Sequence, residues 1–234
     1  MYTIGDLHSN YCGEMSYLNS TYFPEGKDLN KNDIVCVLGD FGFIFQQTQS
    51  KHEAYWLNWL HEKPWTTVFI DGNHENFQRL AKLKTVIMFG GPVGKVNDSV
   101  FHLRRGEVYT FGDKKVFVMG GATSIDKLDR TPGISWWREE TPSYKEIDNG
   151  FANLEKVNYK VDFIFTHTLP TWYAMQVPGI GGKLNDPVCK ILDEIELRTE
   201  FKFWYSGHFH KDLEWESAQG QKIYTQYNGI RRVF

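Results

Sequence analysis

Ile34-Val35-Cys36-Val37-Leu38-Gly39-Asp40 is an unbroken apolar run of strand length that stops at a glycine and a carboxylate. A strand without polar alternation is covered on both faces, so this one is expected inside a sheet with a layer on each side. The design recurs along the chain. Tyr2–Ile4 stops at Gly5-Asp6-Leu7-His8, and residues 67–70 stop at Asp71-Gly72-Asn73-His74-Glu75. Residues 163–165 stop at Thr166-His167, and residues 201–205 at Ser206-Gly207-His208-Phe209-His210. Periodicity predicts helices over 11–22 (Met15, Leu18 and Tyr22 on one face), Lys51–His61 (Ala54, Leu57, Leu60), 76–83, 143–157 (Ile147, Phe151, Leu154) and Pro187–Arg198. Residues 86–89, Val100–Leu103, 108–111 and 115–119 read as strands in hairpins, and 212–216 and 223–227 as closing strands. Residues 120–142 and 169–184 carry no clear period and read as long loops. Early βαβ units followed by hairpins predict an α/β (α+β) chain with mixed sheets, in one domain over 1–234.

Composition narrows the class. The chain has 234 residues, 41% hydrophobic and 24% charged, which are ordinary globular values and argue against disorder. A net charge of −3 implies no broad basic face, so strong nucleic-acid binding is not expected. Cys12, Cys36 and Cys189 form no CxxC pair and fit buried thiols in a reducing compartment. No signal peptide and no apolar run long enough to span a membrane is visible, so the expectation is a cytoplasmic protein with no membrane partner. The oligomeric state is left open.

The chemistry gathers where the strands end. In open α/β sheets, ligands bind in the crevice beyond the carboxyl ends of the strands. With the third cluster taken from Gly72, the five pool two Asp, one Asn and five His there, an inventory that suits Mn, Fe, Zn, Ni or Co better than Ca or Mg. Asp6 and His8 are two residues apart, as are His208 and His210, so in extended backbone each pair addresses one point in space. One such pair occurs by chance. Five clusters, each after a strand, point jointly to a metal centre.

The order Gly5-Asp6-Leu7-His8, Gly39-Asp40, Gly72-Asn73-His74-Glu75, His167, Gly207-His208-Phe209-His210 resembles the calcineurin-like metallophosphoesterase superfamily. The resemblance implies a sandwich of two mixed β-sheets flanked by helices, in four layers. It implies two divalent metal ions, manganese foremost, with Asp6, His8, Asp40 and His210 on one and Asp40, Asn73, His167 and His208 on the other. Asp40 would bridge them, and His74 would face the substrate as an electrostatic stabiliser or general acid. The activity implied is metal-dependent hydrolysis of phosphate esters, as phosphatase or phosphodiesterase, with a metal-held hydroxide as nucleophile. Two divalent ions less Asp6, Asp40 and that hydroxide leave about one positive charge, which suits a phosphate oxygen.

One departure bears on the substrate. Protein Ser/Thr phosphatases of the superfamily carry Gly-Asp-x-Val-Asp-Arg-Gly at the second motif, whereas this chain has Gly39-Asp40-Phe41-Gly42-Phe43. The phosphate-binding Arg is absent, which favours a small or nucleotide-like substrate over a phosphoprotein. Arg130 and Arg138, in the loop over 120–142, are the candidates to replace it, Arg130 being preferred, against a packed lid in which Trp136 covers the core. Asp71 reads either as a support for His74 or as a turn residue. His52, His61 and His102 read as surface or helix-end histidines, and Arg104-Arg105 and Arg231-Arg232 as solvated pairs. Residues 178–183 do not spell a phosphate-binding Gly-Lys-[Ser/Thr] loop and read as a rim. The rival readings are a catalytically silent interaction module on the same scaffold, which would be expected to have lost ligands, and a protein Ser/Thr phosphatase.

Overall fold

A computed structural model describes residues 1–180 and 186–234. The strands are β1 (Tyr2–Ile4), β2 (Ile34–Leu38), β3 (Thr66–Ile70), β4 (Lys84–Met88), β5 (Gly91–Lys95) and β6 (Val100–Leu103), then β7 (Glu107–Phe111), β8 (Lys114–Met119), β9 (Phe163–Thr166), β10 (Phe203–Ser206), β11 (Leu213–Glu216), β12 (Lys222–Thr225) and β13 (Arg231–Arg232). One sheet runs β13-β1-β2-β3-β6-β5-β4 and the other β11-β12-β10-β9-β8-β7. β1, β2, β3 and β6 are mutually parallel, as are β8, β9, β10 and β12, while the outer strands of both sheets pair antiparallel. The mixed-sheet expectation therefore holds.

The pleat of β2 shows why its sequence carries no polar residue. Ile34, Cys36 and Leu38 join Val116, Val118, Phe163 and Phe165 of the other sheet in the core between the sheets. Val35 and Val37 point the other way, into a core shared with Leu57 and Leu60 of α1 (Lys51–His61). On the far side, Ile164 and Trp204 of the second sheet meet Leu154 of α3 (Tyr144–Lys156) and Val188, Leu192 and Ile195 of α5 (Pro187–Arg198). The layers run helix, sheet, sheet, helix, and the parallel strands of both sheets end on the same side.

Several local expectations are corrected. The helix over 11–22 is absent, and short 3₁₀ turns at His8–Asn10 and Glu14–Leu18 replace it. Within the segment Gly13 has φ of +89° and Asn19 is extended, which no α-helix continues through, and Cys12 beside that turn is exposed, not buried as expected. Met15 and Leu18 are buried all the same, and Tyr22 is exposed. In α1 the buried residue is Glu53 and not Ala54, because Glu53 takes a bidentate pair from Arg79 of α2 (Phe77–Ala81) at 2.8 and 2.6 Å.

The loop over 169–184 contains a helix, α4 (Thr171–Gln176). Its first turn is capped from α5, where Asp193 accepts from the Thr171 N–H and Oγ1–H at 2.6 Å each. The end of that loop, and most of the rim at 178–183, lie outside the described residues. Strand β5 reads Gly-Pro-Val-Gly-Lys, poor in strand formers, and is held by antiparallel neighbours on both edges. Arg231-Arg232 is the edge strand β13, with the Arg231 guanidinium 4.7 Å from the Tyr224 ring centroid.

Candidate metal centre

β1, β2 and β3 of one sheet and β9 and β10 of the other deliver their terminal polar residues to one place, where the sheets meet. Leu38 O, at the end of β2, accepts from His167 Nδ1 at 2.8 Å, which ties the two sheets together and leaves His167 Nε2 facing inward. The Asp6 carboxylate accepts the His208 backbone N–H at 3.0 Å to each oxygen. The approach is close enough to demand glycine. A Cβ on Gly39, where φ is +90°, would strike the His167 ring, and one on Gly72 would strike Asp40 Oδ1.

Backbone strain concentrates here. Among the described residues nine non-glycine residues have positive φ, and His8, Ser9, Asn10, Asp40, His208 and His210 are six of them. Such conformations cost ~1–3 kcal/mol each and persist only where the surroundings over-determine them. Asp40 shows how. Its carbonyl accepts from His8 N at 2.8 Å, its Oδ1 accepts from His74 N at 2.8 Å, and the buried Glu75 accepts from the next two backbone N–H groups at 2.8 and 3.4 Å. Glu75 is therefore a strut under the Asp40 loop.

The donor atoms converge. His8 Nε2 lies 2.9 Å from His210 Nε2, 4.0 Å from Asp6 Oδ1 and 3.8 Å from Asp40 Oδ2. His210 Nε2 is 3.8 Å from Asp6 Oδ1. His167 Nε2 is 3.3 Å from Asp40 Oδ1 and 3.2 Å from Asn73 Oδ1. The His208 ring sits against His167, centroids 4.9 Å apart. Asp6, His8 and His210 offer atoms within one ion's reach, as do Asp6, Asp40 and His167. His74 makes a third such group with His8 and Asp40, while its Nε2 accepts from Arg130 Nη2 at 3.1 Å.

The electrostatics fit divalent cations. Burial, with help from Asp40, pushes the Asp6 carboxyl up to about 8, whereas His167 holds Asp40 well below the usual range despite its burial. Two buried carboxylates this close cannot both ionise at low cost without a cation. Burial holds His8, His74, His208 and His210 below the ordinary histidine value, so these imidazoles are neutral and keep a lone pair to donate. His167 is the exception, raised to about 9 because Asp40 outweighs its burial, and a cation there would displace that proton.

Metal removal should therefore be visible in stability. With free Mn²⁺ at ~100 times its Kd the folded state gains about 2.7 kcal/mol. At ~2–4 °C per kcal/mol for a chain this size, chelation should lower Tm by roughly 5–10 °C. Identical melting curves with Mn²⁺ and with EDTA would contradict the fit.

Of the two arginine candidates, Arg130 is brought to the centre and is anchored by Asp126, Nε to Oδ1 2.8 Å. Arg138 is exposed and makes no contact with the site residues among the described residues. It is Trp137, not Trp136, that is buried under the loop. Two residues set aside in the sequence belong to the support. His102 is buried on β6 and pairs with Asp71 at 2.9 Å, and Arg105 donates to the same carboxylate from Nε at 2.6 Å. Asp71 thus turns away from His74, and its neighbours in space come from β6 and the turn after it, some thirty residues later.

A cavity of about 1110 Å³ opens from His8, His74 and His210 and runs between Tyr11 and Tyr227 on one side and Phe45, Gln46 and Gln47 on the other. No lysine or arginine lines it among the described residues, and Glu14 does.

The fold has a solved counterpart. Phosphopantetheinyl hydrolase from Mycobacterium tuberculosis superposes with a TM-score of 0.50 at 16% identity, over 97% of this chain and 89% of that one. At that identity the likeness is one of fold. No curated protein matches the chain in sequence. The calcineurin-like phosphoesterase family model matches residues 2–212, a span that holds all five strand-end motifs. By that match, and by the sandwich that brings those motifs together, the chain belongs to the calcineurin-like phosphoesterase family and is a metal-dependent phosphoester hydrolase.

Proposed function

We propose that the chain is a dinuclear phosphoesterase acting on a small or nucleotide-like phosphate ester. One observation carries this reading: Asp40 stands between two donor groups, with Oδ2 3.8 Å from His8 Nε2 and Oδ1 3.3 Å from His167 Nε2. Asp6, His8, Asp40 and His210 hold one divalent ion, and Asp40, Asn73, His167 and His208 the other. Manganese suits the mixed His, Asp and Asn set. When bound, two such ions neutralise phosphate oxygens and acidify a water at neutral pH.

The remaining steps belong to side chains. Arg130 approaches from the loop over 120–142 and supplies the guanidinium that the second motif lacks. An arriving phosphate draws the Arg130 Nη2 donor away from His74, which frees His74 Nε2 to face the leaving oxygen. His74 Nε2, once released, takes up a proton from water and passes it to that oxygen, or in this charged form stabilises the oxygen's charge. The cavity supports the substrate class. Among the described residues no lysine or arginine lines it to greet a second phosphate or an acidic peptide, and its aromatic and amide walls suit a neutral, flat organic group.

The test is hydrolysis of p-nitrophenyl phosphate and bis-p-nitrophenyl phosphate with Mn²⁺ and with chelator. Metal-dependent turnover is expected, and the ratio of the two rates separates phosphatase from phosphodiesterase. Protein shown to hold two ions that turns over neither ester would favour a silent module.

A further inference from the structure

The loop over 120–142 reaches the metal centre in a second way, through Asn73. Asn73 Nδ2 donates to Ser124 Oγ at 3.1 Å. Ser124 Oγ–H in turn donates to Glu140 Oε1 at 2.9 Å, and Ser124 N–H donates to Glu140 Oε2 at 3.0 Å. All three side chains are buried, with exposures of 4%, 2% and 2%. We infer that Ser124 and Glu140 are positioning residues that fix which end of the Asn73 amide faces the metals.

An amide can turn over about its Cβ–Cγ axis and exchange oxygen for NH₂ with almost no change of shape. A symmetric Asp carboxylate has no such failure mode. In the chain as folded, Asn73 Oδ1 points at the centre, 3.2 Å from His167 Nε2, and Nδ2 points away. Glu140 decides this. Its carboxylate consumes the one hydroxyl proton of Ser124, so Oγ presents only lone pairs to Asn73. The turned amide would set Oδ1 against those lone pairs and aim two N–H donors at the ions. One link of the relay without the other would not suffice, since a serine free to rotate accepts either orientation.

The relay also explains features left over from the sequence. Glu140 is a buried acid at the end of a short 3₁₀ turn (Arg138–Glu140), and its carbonyl is held by Arg105 Nη2 at 3.4 Å. Arg105 is the same side chain that pairs with Asp71, two residues before Asn73. The loop that carries Arg130 over the substrate is thus pinned to the metal-binding turn, and its Ser124 orients the amide ligand there.

This inference rests on Asn73 being a ligand, and the experiment separates the two. Mn²⁺ binding to the full chain is titrated calorimetrically, with bound metal counted by mass spectrometry. Asn73→Ala should lose one ion. Ser124→Ala should weaken the same ion about 10–100-fold, the range for loss of a ligand's supporting hydrogen bond. Ser124→Thr, which keeps the hydroxyl, should restore binding. In an Asn73→Ala background, Ser124→Ala should cause no further loss, because the group it orients is gone. Melting of the metal-free proteins reports the fold separately.

Wild-type Mn²⁺ affinity in Ser124→Ala, alongside a lost ion in Asn73→Ala, would overturn the relay and leave the ligand assignment standing. Two tightly held ions in Asn73→Ala would overturn the ligand assignment itself. If Ser124→Thr folds poorly, the double-variant comparison still decides: additive losses in it would mean that Ser124 acts on the loop and not on Asn73.

Discussion

His74→Asn should lower kcat by roughly 10²–10⁴-fold, the usual contribution of a positioned proton donor, and should leave two bound ions in place. The backbone N–H of residue 74 donates to Asp40 Oδ1 whatever the side chain, so the loop keeps its shape. What is lost is the imidazole. Its Nε2 accepts from Arg130, its ring meets His8 edge-on at 5.1 Å, and Phe45 lies 6.3 Å away on the cavity side. Asn cannot reach as far or carry a proton near neutral pH. Steady-state kinetics and metal counting on the same preparation check both halves. Unchanged turnover would sink the role given to His74, and loss of an ion would make it a ligand, as its place beside His8 and Asp40 allows.

The largest loss of stability is expected from Arg105→Ala. Arg105 and Asp71 are both within a few per cent of full burial, and the carboxylate accepts from Arg105 Nε at 2.6 Å and from His102 Nε2 at 2.9 Å. Arg105 and His102 overcome the burial of Asp71 and hold its carboxyl far below the ordinary value. Removing the guanidinium leaves a buried carboxylate with a single partner, and breaking such a pair costs about 3–5 kcal/mol. At ~2–4 °C per kcal/mol, Tm should fall by roughly 6–20 °C. The double variant Arg105→Met, Asp71→Leu should recover much of this, since the penalty comes from the orphaned charge and not from the missing bond. Thermal melting of the metal-free proteins measures it. A single variant as stable as wild type would mean that water reaches Asp71.

The strand-end clusters were legible because each is local: an apolar run sets a buried strand, and the polar residues that follow it cannot stay in the core. Lys51–His61 and Pro187–Arg198 were legible for the same reason, and in the structure Ser50 and Asp186 cap them. The helix expected over 11–22 failed although its apolar spacing was right. Gly13 is left-handed and Asn19 is extended, so only the short 3₁₀ turn at Glu14–Leu18 fits between them. His102 looked like a surface histidine because its partner, Asp71, lies on the neighbouring strand.

Sequence alone thus determined the family, the pairing of carboxylate and imidazole at the ends of buried strands, and the absence of the second-motif arginine. Those are properties of residue type and spacing along one segment. Tertiary structure decided which of two loop arginines meets His74, where Asp71 spends its charge, how Glu75 supports Asp40, and what holds the Asn73 amide. Each of these joins residues some thirty or more positions apart. Periodicity and spacing report neighbours along the chain, whereas buried polar groups must find partners wherever the packed sheets bring them, and only the fold sets those distances.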